Sequence, residues 1–481
     1  QNVCRLFSAG LPKPARPVFR RKRKRGNRMR KIAATLLCAL LAAASALSGC
    51  GGPHDFRNLA TASHSFGAGP GSKITLTLTD SWTTTSTAAV DVVHRTLIER
   101  FKQENPEIEI SEDILDNALL KTKIKTLAAG NVLPDVFMML GSDAEMFLEN
   151  KLIMPVDDLL AKDPAWKRGF RPEAFDDFRI GGALAGVPMQ MTATSIVYYN
   201  GEIFKRAGYD AFPATFDAFV DAVEKIKAMG ITPIAMGNKD QWVAVSCLLS
   251  TLGDRFTGTE WFTSIEDNSG AKFTDKPFVD ALAAVKRLSD IGAFNANLNS
   301  LDNIQQRTAY YVGKAAMFLE GGWAVSSVVA DAPKPILDRT HLAVLPAVTG
   351  GKGRAKAVSG GSGWALALNA NLTGAKLEAA VQLVKLLTGE TAANMAAERG
   401  DISASLATSY DRSRSSALFE EYLNLLEKAD MTPVYDVRLP PEVVQSLNKG
   451  LQELLTPGSK LTPETLAQQI QDTYSLAVEQ P

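Results

Sequence analysis

Cysteine and histidine are scarce in this sequence, four of each in 481 residues. Cys4, Cys38 and Cys50 all lie in the first fifty positions, Cys247 stands alone in the body of the chain, and no two histidines are close together. That excludes a structural disulfide within the body and the ligand spacings of a zinc site, and no cofactor is expected. Neither a Gly-x-Ser-x-Gly elbow nor a Gly-x-x-x-x-Gly-Lys-Ser/Thr loop occurs, so neither esterase-type nucleophilic chemistry nor nucleotide hydrolysis is expected of this chain. Long apolar runs are missing too: the sixteen residues Ile32–Leu47 fall short of a membrane span. Acidic residues are absent from positions 1–50, which hold 12 of the 52 Lys and Arg; the remainder has 40 basic against 52 acidic residues, a formal charge of −12. Phosphates would repel such a surface, which excludes nucleic acid as the partner.

What is present begins with the leader. Arg30 and Lys31 precede the apolar run, and small residues close it, the order of regions in a secretory signal peptide. Leu47-Ser48-Gly49-Cys50 resembles the lipobox of bacterial lipoproteins, which implies an acylated Cys50 as the new N-terminus on the outer face of the cell membrane. An ordinary cleaved signal with an incidental cysteine is the alternative. The expected organisation is an upstream extension over 1–28, with translation starting at Met29, a lipoprotein signal peptide over 29–49 and a flexible tether over 50–72. A basic nucleic-acid-binding arm is the rival reading of RRKRKRGNRMR. About 410 residues follow, more than one core usually accommodates, so two lobes are expected.

Ile74, Leu76 and Leu78 alternate with threonine and predict a strand. A helix over Val90–Phe101 stopping at Asn105-Pro106, a strand at Ile108–Ile110, a helix through Leu120, Ile124 and Leu127 to Gly130, and the strand PDVFMML complete a parallel α/β pattern. Ligands of such sheets gather beyond the carboxyl ends of the strands, so Asp80–Trp82 and Gly141–Asp143 should share a rim. After GVPMQ, an extended run to Tyr199, the helix capped by Thr215, the strand ITPIAMGN and the apolar helix WVAVSCLLSTLG begin a second α/β unit.

The segments ERFKQENPEIEI, PDVFMM with LENKLIMPVDDLL, GVPMQ before SIVYYNGEIFKRAGY, ATFDAF, MFLEGGWA, LAVLPAV and SGGSGWALALN, taken in order, resemble the maltose-binding-like solute-binding proteins of bacterial carbohydrate importers. The resemblance implies a two-lobed α/β fold of the periplasmic-binding-protein type II, with a hinge and an inter-lobe ligand cleft. Lobe 1 would hold 73–188 and 358–400, and lobe 2 would hold 189–357 and 401–481, with Pro188–Thr192 at the first crossing. It further implies a monomeric binding protein without enzymatic activity that hands a carbohydrate to two ABC permease subunits and, through them, a cytoplasmic ATPase. A lipid-anchored glycoside hydrolase, using Asp80 with Asp143 or Asp240, and a sensor domain without transport are the alternatives.

A sugar offers apolar ring faces and a belt of hydroxyls, so its site needs flat aromatics and directed polar groups. Trp323 follows Glu320-Gly321-Gly322, where glycine permits close backbone approach, and either lines the cleft or packs a helix. Trp242, after Asn238 and Asp240, either faces the gap or opens the apolar helix as its first core residue. Trp82 lies among Ser and Thr, where an exposed aromatic calls for a ligand. Trp364 reads as structural, with Gly361 and Gly363 as backbone contacts, and Trp166 and Trp261 are given no role. Asp80, Ser142, Asp143, Gln190, Asn238 and Asp240 are the hydroxyl-binding candidates, with Arg399 or Asp401 at a further crossing.

Overall fold

The alternation at the start of the body forms the strand β1 (Ile74–Asp80), with Leu76 and Leu78 buried and Thr75 and Thr77 exposed. The computed structural model describes residues 73–479; the extension, signal peptide, Cys50 and tether read from the sequence lie outside them. After β1 come α1 (Ala89–Glu104), β2 (Ile108–Ile114), α2 (Asn117–Ala129) and β3 (Val136–Leu140), as the periodicity predicts. Helix α2 buries Leu120, Ile124 and Ala128, and Asp116 caps it by accepting from the Leu119 N–H at 2.8 Å.

β4 (Val187–Pro188), β5 (Thr192–Ala193) and β6 (Ile196–Asn200) follow, then α3 (Phe216–Ala228), capped by Thr215, and β7 (Thr232–Ala235). The segment 244–249 is wound as a π-helix, the first turns of the apolar helix read from the sequence. β8 (Ala315–Glu320), α4 (Ala324–Asp331), β9 (Thr340–Val344), β10 (Ala357–Gly361), β11 (Trp364–Leu368), α5 (Gly374–Thr388), α6 (Ala417–Leu426), β12 (Asp430–Thr432) and α7 (Tyr435–Arg438) lead to two C-terminal helices.

One sheet has the order β2-β1-β3-β11-β4 and the other β9-β6-β8-β7. β1 is parallel to β2 and β3, as the sequence predicts for these three strands, but β11, whose pairing the sequence leaves open, runs antiparallel to both β3 and β4, so the whole sheet is mixed. The reason is topological. β11 returns from the second lobe by running straight back along the outgoing segment, Gly360 and Gly361 against Ala193 and Thr192 and then Ala365 and Leu366 against Pro188 and Val187, so it enters the sheet antiparallel.

A third, short sheet, β12-β10-β5, joins the lobes. Gly360 and Gly361 pair with Ala193 and Thr192, and Ala357–Ser359 pair with Asp430–Thr432. The buried Ser359 hydroxyl lies 2.8 Å from Thr194, 3.0 Å from Ser195 and 2.9 Å from Thr251, so the crossing is tied by hydroxyls that exclude water. The first crossing strand is Thr192–Ala193, whereas Pro188, expected there, still pairs with Ala365 in the first sheet.

Two large hydrophobic clusters result, and the first runs from β1 and β3 into Tyr198, Phe318, Val325 and Leu423 around the second sheet. At that junction Gly322 has no room for a side chain: a Cβ would lie 2.0 Å from the Tyr422 hydroxyl and 2.7 Å from Thr192 Oγ1. Gly322→Ala is expected to cost about 1–3 kcal/mol, read as a lower urea midpoint, because it pushes Tyr422 off its contacts with Thr192 and the Ala193 N–H.

Candidate functional site

The carboxyl ends of β1 and β3 lie side by side, and the Ser81 N–H points at the Met138 sulfur at 3.3 Å. Asp80 and Trp82 are nevertheless turned into the lobe. Asp80 is 0% exposed, accepts from the Trp82 N–H at 2.9 Å and faces Arg95 at 3.4 Å, and Arg95 also grips Glu112. Burial lifts the Asp80 carboxyl to about 8, with Arg95 opposing. Trp82 is 1% exposed and stacked on His94, ring centroids 4.1 Å apart. The exposure expected of Trp82 is not found, because α1 supplies a ring that covers it.

The turn after β3 does meet the second lobe. A Cβ on Gly141 would lie 2.9 Å from Val437, so α7 packs directly on this turn. Asp143 is 4% exposed and pairs with Lys125 of α2 at 3.0 Å, and Ser142 is half-buried beside it. Burial raises the Asp143 pKa, while Lys125 pulls it down. One helical turn before Lys125, Lys121 places its ammonium 5.6 Å above the Trp364 ring. Trp364 is half-buried against Leu140, Val434 and Val437.

On the second lobe, β7 runs into the loop that carries Asn238, Asp240 and Trp242. Gly237 permits this loop's closest approach, since a Cβ there would lie 1.9 Å from the Asp302 carbonyl. Asn238 is 0% exposed and holds the loop itself: its N–H donates to Leu298 O at 2.7 Å and its Oδ1 accepts from the Ala244 N–H at 3.0 Å. That expected ligand contact is a loop anchor. Asp240 is half-buried, with its pKa raised by burial while Lys239 opposes. Trp242 and Trp323 are both half-buried, ring centroids 5.9 Å apart and tilted by 55°. The Trp323 indole N–H donates to Glu320 at 2.9 Å, and Glu320 is in turn held by Asn303 at 2.7 Å and Arg307 at 3.4 Å. Trp323 is therefore fixed in orientation and remains half-buried.

The expected backbone contacts at Gly361 and Gly363 are otherwise engaged. The N–H groups of Ser362 and Gly363 both donate to Asp177 Oδ2 at 2.9 Å, and a Cβ on Gly361 would lie 2.5 Å from that oxygen. Asp177 also faces Arg438 at 3.5 Å, and Arg438 reaches Glu266 at 2.7 Å. Gln190, half-buried, pairs through its backbone with Ser403; Asp401 is buried and Arg399 points to solvent. The lobes touch directly where Thr87 donates to Asp331 at 2.7 Å and the Ala89 N–H to Ser326 at 3.0 Å.

Asp240, on the loop that carries Trp242, thus acts through space on Lys121, which stands over Trp364 and one turn from the Lys125–Asp143 pair. Lys121, Lys125 and Asp436 of α7 were not singled out in the sequence. The one signal for the two lysines was the spacing Asn117, Lys121, Lys125, every fourth residue in a row flanking the buried stripe of α2.

Residues 92–394 match the family profile described as bacterial extracellular solute-binding protein. This chain belongs to that family. Among other solute-binding proteins, the multiple sugar-binding protein of Streptococcus mutans is 25% identical over 249 residues, 51% of this chain and 57% of its own. The probable sugar-binding periplasmic protein of Mesorhizobium japonicum is 26% identical over 207 residues, 42% of this chain and 48% of its own. The chain spans about half the length of the curated relatives it matches. A protein solved in work on xylan utilization by Caldanaerobius polysaccharolyticus superimposes with TM-score 0.75 at 26% identity, covering 83% of this chain and 99% of that one. Maltose-bound MalE3 of T. maritima gives 0.66 at 21% identity, covering 84% and 100%. The two-lobed solute-binding fold accounts for the mixed sheets and the shared hinge. This family is one of binding proteins. No helix among the described residues is long and apolar enough to cross a membrane.

Proposed function

We propose that this chain is an extracytoplasmic, monomeric receptor that captures an oligosaccharide or glycoside between its lobes and delivers it intact to an importer of two membrane permease subunits and a cytoplasmic ATPase. The observation that carries this reading is the pair of adjacent half-buried indoles, Trp242 and Trp323, on a lobe whose Asp240 acts through space on Lys121, itself lying over Trp364. Flat apolar faces beside carboxylates and an ammonium suit a ring with hydroxyls at its edge. The sugars named for the relatives support it. The lobe limits 73–188 with 358–400 and 189–357 with 401–481 belong to the same proposal, supported by the membership of the two sheets.

Capture works by a population shift. A solute that touches both linings only when the lobes are together favours the closed form by its extra contacts there. Closure then joins surfaces of both lobes into one face for the permease. Acylated Cys50 would hold the receptor at the cell membrane, and Cys50→Ser is expected to move the protein from the membrane fraction to the medium, seen by immunoblot of the two fractions.

A thermal-shift screen of the mature chain against neutral and acidic oligosaccharides, with amino acids and ions as controls, tests the reading. One sugar at 100 times its Kd should stabilise the fold by about 2.7 kcal/mol. Chromatography of that sugar after incubation should recover it unchanged. Released product would instead establish a glycosidase, for which Asp80, sealed against Arg95, offers no accessible carboxylate. A shift given only by the controls would replace the sugar with another solute.

A further inference from the structure

Among the described residues Lys121, like Asp240, carries a charge that no side chain of the protein pairs directly. Among the described residues its ammonium makes no hydrogen bond and no ion pair, although it carries three donors and lies over the Trp364 ring at 5.6 Å. Lys125, on the same face of α2, is by contrast committed to Asp143 at 3.0 Å. Around Lys121 the field is acidic. Burial lowers the Lys121 pKa and the charge of Lys125 adds to this, while Asp436, Asp143 and Asp240 oppose it through space, and Asp116 and Asp302 act on Asp240 in turn. Asp436 accepts from the Ser246 hydroxyl at 2.7 Å and Asp143 from Lys125, which leaves lone pairs on both carboxylates.

We propose that Lys121 is a sugar-binding residue of the cleft, donating to adjacent hydroxyls of a neutral sugar that stacks near Trp364 and itself donates to the neighbouring carboxylates, while the surplus of those carboxylates turns acidic sugars away. The inference rests on the carbohydrate reading above and names the class of sugar. A hydroxyl both accepts and donates, so it bridges an ammonium and a carboxylate. The carboxylate of a uronic acid only accepts, and it would enter a site where the acidic side chains outnumber Lys121, Lys125 and Lys239. A protonated amino sugar would compete with Lys121 for the same carboxylates. Helix α2 gives the arrangement its rigidity, because the buried Leu120 and Ile124 fix the face on which Lys121 stands.

Isothermal titration of the native chain, Lys121→Met and Lys121→Arg tests this with xylotriose, cellotriose, maltotriose and triacetylchitotriose as neutral probes and trigalacturonate as the acidic one. The native chain should bind at least one neutral probe and bind trigalacturonate at least 10-fold more weakly. Lys121→Met should weaken the neutral probe by about 10-fold to 100-fold, the loss of a charged hydrogen bond, with its melting midpoint little changed. Lys121→Arg, which keeps the charge, should recover part of that loss. Unchanged affinity in Lys121→Met overturns the role of Lys121, and trigalacturonate bound as tightly as the neutral probes overturns the rejection of acidic sugars, each without touching the carbohydrate reading. No binding of any probe by the native chain overturns the carbohydrate reading with it.

Discussion

Replacing Trp242 and Trp323 together by alanine is expected to weaken binding of the sugar found in the screen by 100-fold or more, measured by calorimetry. Buried tryptophans that anchor a ligand are worth about 2 kcal/mol or more each, close to 30-fold. With centroids 5.9 Å apart the two rings serve one stretch of solute, so their losses are coupled and the double variant falls short of the full product. Both rings are only half-buried, and Glu320 keeps Asn303 and Arg307 when Trp323 is removed, so the melting midpoint should fall by only a few degrees. Trp323→Phe separates the two contributions of that ring: it keeps an apolar face but loses the anchor to Glu320, and an intermediate affinity is expected. Native affinity in the double variant would remove these indoles from the binding site.

The second large effect is on stability against pH. Asp401 is buried at the crossing between lobes, and burial lifts its carboxyl from 3.8 to about 6, with the Ile402 N–H at 2.8 Å pulling it down and the charge of Asp91 adding to the rise. Asp91 is itself raised to about 6, chiefly by burial. A carboxyl with a raised pKa binds its proton more tightly in the folded chain than in the unfolded one. Its stabilising contribution is therefore complete below about pH 4 and declines as the pH climbs through 6. A rise of about two units corresponds to roughly 3 kcal/mol. Asp401→Asn keeps an acceptor for Ile402 and removes the titration, so urea unfolding should find it more stable than the native chain at pH 8 by up to about 3 kcal/mol and alike at pH 4. Equal stabilities at both values would show that this carboxyl does not titrate in that range.

The periodic parts of the chain were readable because their cause is local. Leu76 and Leu78 on β1, and Leu120 and Ile124 on α2, are spaced by the geometry of their own strand and helix, and burial follows that spacing whatever packs against it. The return of β11 was different. Nothing near Trp364 dictates that it lies antiparallel to β3; that depends on the path of the chain through the second lobe. The site divides in the same way. Trp242 and Trp323 stand at loop positions next to strands, and the structure brings their rings together. Trp82 looked just as exposed until His94, on another element, covered it. Asn238, Gly361 and Gly363 carry the right groups, but Ala244 and Asp177 use the neighbouring polar atoms first.

By itself, then, the sequence determined the class of fold, the order of its elements and the family, because these rest on spacing, composition and segment order along one chain. Tertiary structure alone decided which polar and aromatic side chains stay available to a solute. Availability is a property of pairs distant in sequence: a carboxylate or ring is free only if no other part of the chain satisfies or covers it, and Lys121 over Trp364 shows this as plainly as Asp80 beneath Arg95.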